Sequence, residues 1–178
     1  MIFFIDEVIS KEDCEILTKL FFKEKETMLN IDGGEYAAAK FSFGFEPKLY
    51  DFNKYLDILK PKILEYYNVK TITNVNSYVR CYYNGAELEK HVDRPDIGIT
   101  LSICLNTTIN KQWGLCAEID NSTDCYNTDI GQGVLLIDSN KYTHWRDKLE
   151  CGDDEYVLQF FLHWTSSKTT TKETHTLI

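Results

Sequence analysis

Two short segments, far apart in the sequence, constrain this fold most. The first is a strand-like run from residue 80 that ends in His91-x-Asp93, and the second holds His144 after the apolar run 134–137. Side chains two positions apart on an extended chain point to the same side, so His91 and Asp93 can bind one ion from one strand end. A metal bound only by chain neighbours would be held loosely. The sequence therefore predicts that another strand brings His144 to the same point.

Two imidazoles and one carboxylate form the ligand set of a 2-His-1-carboxylate facial triad. That set binds Fe(II) on one face and leaves the remaining positions open. The competing interpretation is that His91-x-Asp93 is a surface dipeptide and that His144 is a hydrogen-bonded core histidine. Gly85 and Leu88 before the first segment, the strand that follows it, and the His-Trp-Arg sequence at 144–146 favour the metal site.

The apolar pattern predicts a mainly β protein with flanking helices. Periodicity changes to strict alternation at about residue 71. In the run 97–105, large apolar residues occupy one side, while Thr100, Ser102 and Cys104 on the other side suit the wall of a cavity. Upstream, Ser10 and Asp13 resemble a capping box that starts one helix. Pro47 opens a second predicted helix, and Pro61 is expected to kink or break it.

Length and composition predict one globular domain over 1–164, followed by a flexible Thr- and Ser-rich tail at 165–178. The chain has 178 residues, and 43% of them are hydrophobic. A net charge of −9 makes sequence-independent binding to nucleic acid an unattractive hypothesis, because acidic proteins gain nothing from counterion release. No apolar run approaches the ~20 residues of a membrane span.

Compartment is predicted from the N-terminal segment and the cysteines. The acidic start has no basic region of the kind that precedes a signal sequence. The six cysteines include no C-x-x-C pair, so they are expected to be reduced thiols. These features together predict a cytoplasmic protein.

At these residues the sequence resembles a known family. The motif at 82–93, the segment 131–136 before His144 and the closing run 157–164 are similar to the 2-oxoglutarate- and Fe(II)-dependent oxygenases, in particular their prolyl-4-hydroxylase-like branch. The resemblance covers about residues 1–164. It implies a double-stranded β-helix (a cupin-like jelly roll) with Fe(II) bound by His91, Asp93 and His144. It also implies 2-oxoglutarate as cosubstrate and O₂ as oxidant.

The reaction that this resemblance implies is oxidative decarboxylation of 2-oxoglutarate to succinate, coupled to hydroxylation of a C–H bond. The substrate is expected to be a prolyl residue of a protein or a small molecule. No membrane partner is expected, and the oligomeric state is left open.

One part of the family pattern is missing. Prolyl-4-hydroxylase-like enzymes carry a cation for the far carboxylate of 2-oxoglutarate at the start of the last strand, where this chain has the acidic run 153–155. Arg146 and Arg80 are the two candidate replacements, and Arg146 is preferred because it follows His144 by two positions on an extended segment. Tyr82 is a candidate hydrogen-bond donor to the same carboxylate.

The missing basic residue also supports an alternative function. In this second hypothesis the chain is a cupin-like protein that binds a metal or a ligand without oxidation. A third hypothesis, a nucleic-acid demethylase on the same fold, is disfavoured by the acidic composition.

Overall fold

A computed structural model describes residues 1–29, 41–67 and 71–166 of the chain. Two antiparallel sheets dominate it, one of six strands and one of four. The elements in chain order are β1 (Ile2–Ile5), α1 (Lys11–Leu29), β2 (Ser42–Phe45), α2 (Tyr50–Asn53), α3 (Tyr55–Ile58), α4 (Lys60–Tyr66), β3 (Ile72–Tyr83), β4 (Leu88–His91), β5 (Ile99–Thr107), β6 (Leu115–Ile119), β7 (Ser122–Tyr126), β8 (Gly133–Ile137), β9 (His144–Arg146) and β10 (Tyr156–Ser166).

The larger sheet has the strand order β1-β8-β5-β10-β3-β2, and the smaller has β4-β9-β6-β7. Strands adjacent in space are mostly remote in sequence, as β10 shows by pairing with both β3 and β5. The helices pack on one side of the larger sheet, and the other side faces the smaller sheet. This arrangement confirms the predicted mainly β architecture with flanking helices.

Helix α1 begins where the sequence predicted. The Ser10 Oγ accepts a hydrogen bond from the Asp13 backbone N–H at 3.1 Å and donates to the Asp13 carboxylate at 2.9 Å. The helix buries Cys14, Leu17 and Phe21 in the main hydrophobic core, whose other members come largely from the larger sheet. A helical apolar stripe therefore packs on the outer face of the sheet, as its periodicity requires.

The second predicted helix is broken into three short ones. Helices α2, α3 and α4 follow one another with single-residue breaks, and Pro61 lies in the first turn of α4. A proline there costs no hydrogen bond, because the first helical N–H groups have no intrahelical partner. The expected disruption at Pro61 is thus confirmed as a helix start, two residues after the break at Leu59.

Alternation along β5 is as predicted. Ile99, Leu101 and Ile103 are fully buried in the core on the helix side. Thr100 and Ser102 line a cavity on the opposite side. The final strand extends to Ser166, two residues beyond the predicted domain end, and 167–178 of the predicted tail lie outside the described residues.

The prediction that all cysteines are thiols is wrong for one pair. Cys116 and Cys125 form a disulfide across the β6–β7 hairpin, while Cys14, Cys81, Cys104 and Cys151 are free. The two bonded residues are direct partners in the strand register, with Cα atoms 4.0 Å apart. The sequence does not give the register of the β6–β7 hairpin, so it could not predict that these two cysteines face each other.

The cytoplasmic location, which rested partly on reduced thiols, stays a prediction. Within the described part of the chain, no helix is both long enough and apolar enough to cross a bilayer.

The conformation of Gly131 explains why the segment that leads to His144 begins with glycine. Its φ is +87°, and a Cβ atom there would lie 2.6 Å from the Ile9 carbonyl oxygen. That carbonyl belongs to the turn joining β1 to α1, and the Val8 backbone N–H donates to the Gly131 oxygen at 2.8 Å. Glycine therefore permits both the left-handed backbone and the close approach of the two segments.

Candidate metal centre

The three predicted ligands meet at one point between the sheets. His91 ends β4, His144 begins β9, and the two residues are direct partners in the antiparallel register. Asp93 follows β4 by two residues, and its Oδ1 lies 3.9 Å from the His91 Nε2 and 3.7 Å from the His144 Nε2. One ligand atom from each residue lies within 4.8 Å of the other two. The structure thus brings together three donors that a single ion can contact.

Backbone carbonyls fix which nitrogen each histidine presents. The His91 Nδ1 lies 2.8 Å from the Glu89 carbonyl oxygen, and the His144 Nδ1 lies 3.0 Å from that of Tyr142. A carbonyl only accepts hydrogen bonds, so each Nδ1 carries the proton and each Nε2 keeps its lone pair. Both lone pairs belong to the atoms that face Asp93. Such backbone support is usual for metal-binding histidines.

Asp93 is oriented by a neighbouring strand. Its Oδ2 accepts a hydrogen bond from the Thr100 hydroxyl at 2.5 Å, and its backbone N–H donates to the Ser139 carbonyl at 3.0 Å. This leaves Oδ1 directed at the two imidazoles. Burial lowers the pKa of His144, which is only 4% exposed, and so keeps it neutral and able to bind a cation.

The triad lines a cavity of about 270 Å³ between the two sheets. Its larger-sheet wall is organised in rows by the strand register. Asn76, His163 and Thr100 form the row level with the triad. Arg80 and Gln159 are paired further along the same two strands, toward the opposite end of the barrel. The residues lining the cavity are Glu46, Asn76, Tyr78, Arg80, Tyr82, Leu88, His91, Asp93, Arg94, Ile97, Thr100, Ser102, Leu115, His144, Phe161 and His163.

Arg146 is a buried cation whose hydrogen-bond partners are uncharged. Its side chain is 2% exposed and its guanidinium lies over the Trp113 ring at 5.0 Å. It donates to the Trp113 carbonyl at 3.0 Å, to the Ser102 hydroxyl at 3.1 Å and to the Gln159 amide oxygen at 3.3 Å. Among the described residues, its Nε has no hydrogen-bond partner. Burial lowers the pKa of Arg146, because among the described residues no ion pair with a carboxylate offsets the loss of water.

Arg80 and Tyr82 lie beside Arg146. Arg80 lines the cavity directly, and its guanidinium lies 5.5 Å from the Tyr78 ring and 5.8 Å from the Tyr82 ring. Burial raises the pKa of Tyr82, although both arginines oppose that rise. The neutral phenol is therefore a hydrogen-bond donor next to two cations. The structure brings the three predicted cosubstrate-binding residues near one another: Arg80 and Tyr82 line the cavity, and Arg146 is hydrogen-bonded to Ser102, which also lines it.

Sequence reasoning missed most of the residues that support these groups. Thr100 and Ser102 could be placed on the cavity wall by alternation, but their partners could not be foreseen. Gln159 was read only as part of the closing strand, yet its amide oxygen accepts from both Ser102 and Arg146. The signal available for Gln159 was a buried polar residue within an apolar run.

A further polar chain beside the triad was also missed. Asn76 donates through Nδ2 to the Glu46 carboxylate at 2.5 Å, and its Oδ1 lies 2.8 Å from the His163 Nδ1. Burial lowers the pKa of His163 to about 4. His163 lies on the cavity wall.

No protein-family model matches the sequence, and no curated protein sequence matches it. Solved structures do match. A viral collagen prolyl hydroxylase from Paramecium Bursaria Chlorella virus-1, in complex with 2-oxoglutarate, is 14% identical with a TM-score of 0.63, over 93% of this chain and 96% of that one. A prolyl hydroxylase from Trichoplax adhaerens, in complex with a hypoxia inducible factor peptide fragment, is 13% identical with a TM-score of 0.64, over 92% and 83%.

HygX from Streptomyces hygroscopicus, with nickel, 2-oxoglutarate and hygromycin B bound, is 8% identical with a TM-score of 0.63, over 91% of this chain and 82% of that one. This chain has the jelly-roll fold of the 2-oxoglutarate- and Fe(II)-dependent oxygenases. The expected double-stranded β-helix is therefore confirmed.

Within this oxygenase fold, the start of the last strand is as acidic as the sequence indicated. The Glu155 carboxylate accepts a hydrogen bond from the Gly152 backbone N–H at 2.6 Å, so it stabilises a turn outside the cavity. Val157, the β10 residue that pairs with Tyr82, is apolar. Any cation for a cosubstrate must come from another strand, and Arg80 on β3 and Arg146 on β9 are the arginines buried there.

Proposed function

We propose that this protein is an Fe(II)-dependent oxygenase that uses 2-oxoglutarate and O₂ to hydroxylate a C–H bond. The observation that carries the proposal is the convergence of His91, Asp93 and His144, with ligand atoms within 4.8 Å of one another. The donor set fits Fe(II), since two neutral imidazoles and one carboxylate occupy one face and leave room for further ligands. Bound Fe(II), with 2-oxoglutarate and O₂, supplies the oxidising chemistry.

The chain's own residues would hold the ion and the cosubstrate. His91 and His144 present Nε2 lone pairs because backbone carbonyls hold the protons on Nδ1. Thr100 holds one oxygen of Asp93, so that the other faces the imidazoles. These contacts fix the ligands before an ion arrives, which reduces the conformational entropy that binding costs.

Arg146 is proposed to bind the distal carboxylate of 2-oxoglutarate. A buried guanidinium without an anion is unfavourable, and a carboxylate would provide both the charge and acceptors for its N–H groups. Tyr82 would donate a hydrogen bond to the same carboxylate, and Arg80 would add a second positive charge. Gln159 and Ser102 would hold the Arg146 guanidinium in orientation.

The substrate is proposed to be a protein residue or a small molecule. The similar prolyl hydroxylase from Trichoplax adhaerens was solved with a peptide fragment, and HygX was solved with hygromycin B. Neither class is excluded by a cavity that opens beside the triad. The net charge of −9 argues against nucleic acid.

The cupin-like binding protein without oxidation is the less favoured alternative. It would account for the triad, but it gives no role to the buried cation Arg146, which follows the ligand candidate His144 by two residues on β9. The oxygenase proposal accounts for both, because 2-oxoglutarate must contact the ion at one end and a cation at the other.

Two measurements test the proposed function. Titration calorimetry should show that 2-oxoglutarate binds the Ni(II)-loaded protein and that succinate, which lacks the 2-oxo group, binds more weakly. Aerobic protein with Fe(II) should convert 2-oxoglutarate to succinate, and His91→Ala should abolish this conversion. Binding of the metal without 2-oxoglutarate binding or turnover would contradict the proposal and favour the cupin-like alternative.

A further inference from the structure

The cavity has opposite electrostatic character at its two ends. Arg80 lines the deep end, and Arg146 is hydrogen-bonded to Ser102 in the wall, whereas Glu46 and His163 lie at the level of the triad. Four positions on β3 separate Arg80 from Asn76, which is about 13 Å along an extended strand. The deep end therefore favours anions, and the mouth offers hydrogen-bond acceptors.

The hydrogen-bond chain at the mouth fixes the His163 tautomer. A carboxylate only accepts hydrogen bonds, so Asn76 must direct its NH₂ group at Glu46, which leaves its carbonyl oxygen facing His163. The His163 Nδ1 must then be the donor. In the neutral ring, the Nε2 atom keeps a lone pair, and among the described residues it has no hydrogen-bond partner. His163 lines the cavity, so this lone pair is available to a ligand.

Glu46 supplies the uncompensated negative charge at the mouth. The other charged residues lining this level are Asp93, assigned to the metal, and Arg94, whose guanidinium donates to Asp96 at 3.2 and 3.3 Å. Among the described residues, Glu46 is hydrogen-bonded to the uncharged Asn76 and to no cation. Glu46 and His163 line the same cavity with Asn76 between them, so an exposed carboxylate and an imidazole lone pair are both open to a protonated nitrogen, which provides charge and several N–H donors.

We infer that the substrate of the proposed oxygenase carries a protonated amine, bound by Glu46 and the His163 Nε2. This inference rests on the proposed function and specifies its substrate. His163 and Thr100 are register partners on adjacent strands, and Thr100 binds Asp93, so the His163 side of the amine site lies about one strand spacing, ~5 Å, from Thr100, and Glu46 after β2 lies two strands further away. The C–H bond to be oxidised is then a few bonds from the amine nitrogen.

This chemistry favours a small amine, such as a free amino acid, over an internal prolyl residue. The nitrogen of a prolyl residue within a peptide has neither a hydrogen nor a charge, so it offers nothing to Glu46 or His163. Free proline, in contrast, has a secondary ammonium group. The deep end would hold the anionic cosubstrate at the same time, so each end of the cavity would bind a group of opposite charge.

The tautomer can be tested without metal or turnover. Two-bond ¹H–¹⁵N correlation spectra of the metal-free protein distinguish a protonated Nδ1 from a protonated Nε2. We expect the His163 signals to show Nδ1–H in wild type, and to change when Asn76→Ala removes the acceptor. An Nε2–H tautomer in wild type would overturn the inference, because the ring would then present a donor to the cavity.

Ligand preference is tested with matched pairs on the Ni(II)- and 2-oxoglutarate-loaded protein. The probes are L-proline, L-lysine and L-ornithine, each beside its N-acetyl derivative, with binding followed by calorimetry. At least one amine should bind about tenfold more tightly than its acetylated form, the discrimination expected for a charge-assisted hydrogen bond. Equal binding within every pair, or no binding of any amine, would overturn the inference.

Two variants test whether the preference for the amine over its acetylated form arises at Glu46. Glu46→Gln keeps the shape and removes the charge, so the ratio of the affinities for the amine and its acetylated form should fall to near one. Asp124→Asn, an equal charge change on the exposed β7 strand, should leave it unchanged. If the wild-type protein does not bind 2-oxoglutarate, the proposed function is overturned. If it binds 2-oxoglutarate but shows no preference for amines, only this inference is overturned.

Discussion

Arg146 follows His144 by two residues on β9, and both side chains are buried on the same side of that strand. One short strand therefore presents a metal-ligand candidate and a buried cation to the barrel interior. Strand geometry separates their Cα atoms by about 6.6 Å, so a ligand of a few atoms can contact both. This relationship explains how a dicarboxylate could be bound although the start of the last strand has no basic residue.

Replacing His91 by Ala should weaken Ni(II) or Fe(II) binding at least 100-fold, roughly, since loss of a direct ligand exceeds the 10- to 100-fold effect of a supporting residue. His91 is 37% exposed, so the variant should fold normally. The measurement is metal titration by calorimetry, with circular dichroism as the check on folding. His163→Gln is the control, and comparable metal loss in that variant would contradict the assigned ligand set.

Replacing Arg146 by Met should weaken 2-oxoglutarate binding to the Ni(II)-loaded protein by about 100-fold, because two charge-assisted hydrogen bonds are lost. Metal affinity should be unchanged. Thermal stability without 2-oxoglutarate should change little, since relief of a buried charge opposes the loss of the three hydrogen bonds that Arg146 donates. Arg94→Gln is the control for loss of a positive charge at the mouth.

The same titration on Arg80→Gln decides between the two arginines. We expect a smaller effect there than in Arg146→Met. A larger loss of 2-oxoglutarate affinity in Arg80→Gln would show that Arg80 is the anchor and that Arg146 is a structural cation.

Acidification should destabilise the protein through His163. Its folded pKa of about 4 lies below the ordinary histidine value of 6.5, so the unfolded state takes up a proton first as pH falls. The contribution of His163 is therefore fully present above pH 6.5 and is lost as pH falls toward 4, at no more than about 1.4 kcal/mol per pH unit. The buried His144, whose pKa is also lowered, acts in the same direction.

Urea unfolding of the metal-free protein at several pH values between 7.5 and 4.5 measures this effect. His163→Gln should show a shallower decrease in the free energy of unfolding over that range. Parallel pH profiles for wild type and variant would contradict a neutral, buried His163.

Reducing the disulfide should lower the free energy of unfolding by about 2–3 kcal/mol, the loop-closure value for a short loop. Cys116 and Cys125 are 9 positions apart, so the closed loop is small. Denaturation of wild type with and without dithiothreitol, compared with a Cys116→Ser and Cys125→Ser double variant, measures the change. Cys151→Ser, at a free half-buried cysteine, should show no such loss; equal stability of oxidised and reduced wild type would contradict the bond.

The candidate metal ligands could be proposed from sequence because their signals are local. His91 and Asp93 are two positions apart on an extended segment, and His144 follows a complete apolar strand. Together with Gly85 and Leu88 before them, the strand that follows and the His-Trp-Arg sequence at 144–146, this spacing indicated three donors on strand ends. Alternation likewise separated Thr100 and Ser102 from the core residues of β5. Each of these inferences needs only the period of a strand, which is a property of the chain itself.

Other features depended on strand pairing and could not be read in advance. The Cys116–Cys125 bond requires the β6–β7 register, and the Glu46–Asn76–His163 chain joins three segments remote in sequence. The Arg146 environment depends on Gln159, whose position follows a register shift between Leu158 and Gln159 in the β10–β5 pair.

Sequence alone thus determined which residue types face the barrel interior, because a strand's alternation is a local property of its backbone. Tertiary structure alone decided which of those side chains meet, because a shift of one residue in pairing moves every side chain of a strand to the opposite face. The register of β10 between β3 and β5 is set by packing of the whole core. This register pairs His163 with Asn76 at the level of the triad and Gln159 with Arg80 at the deep end.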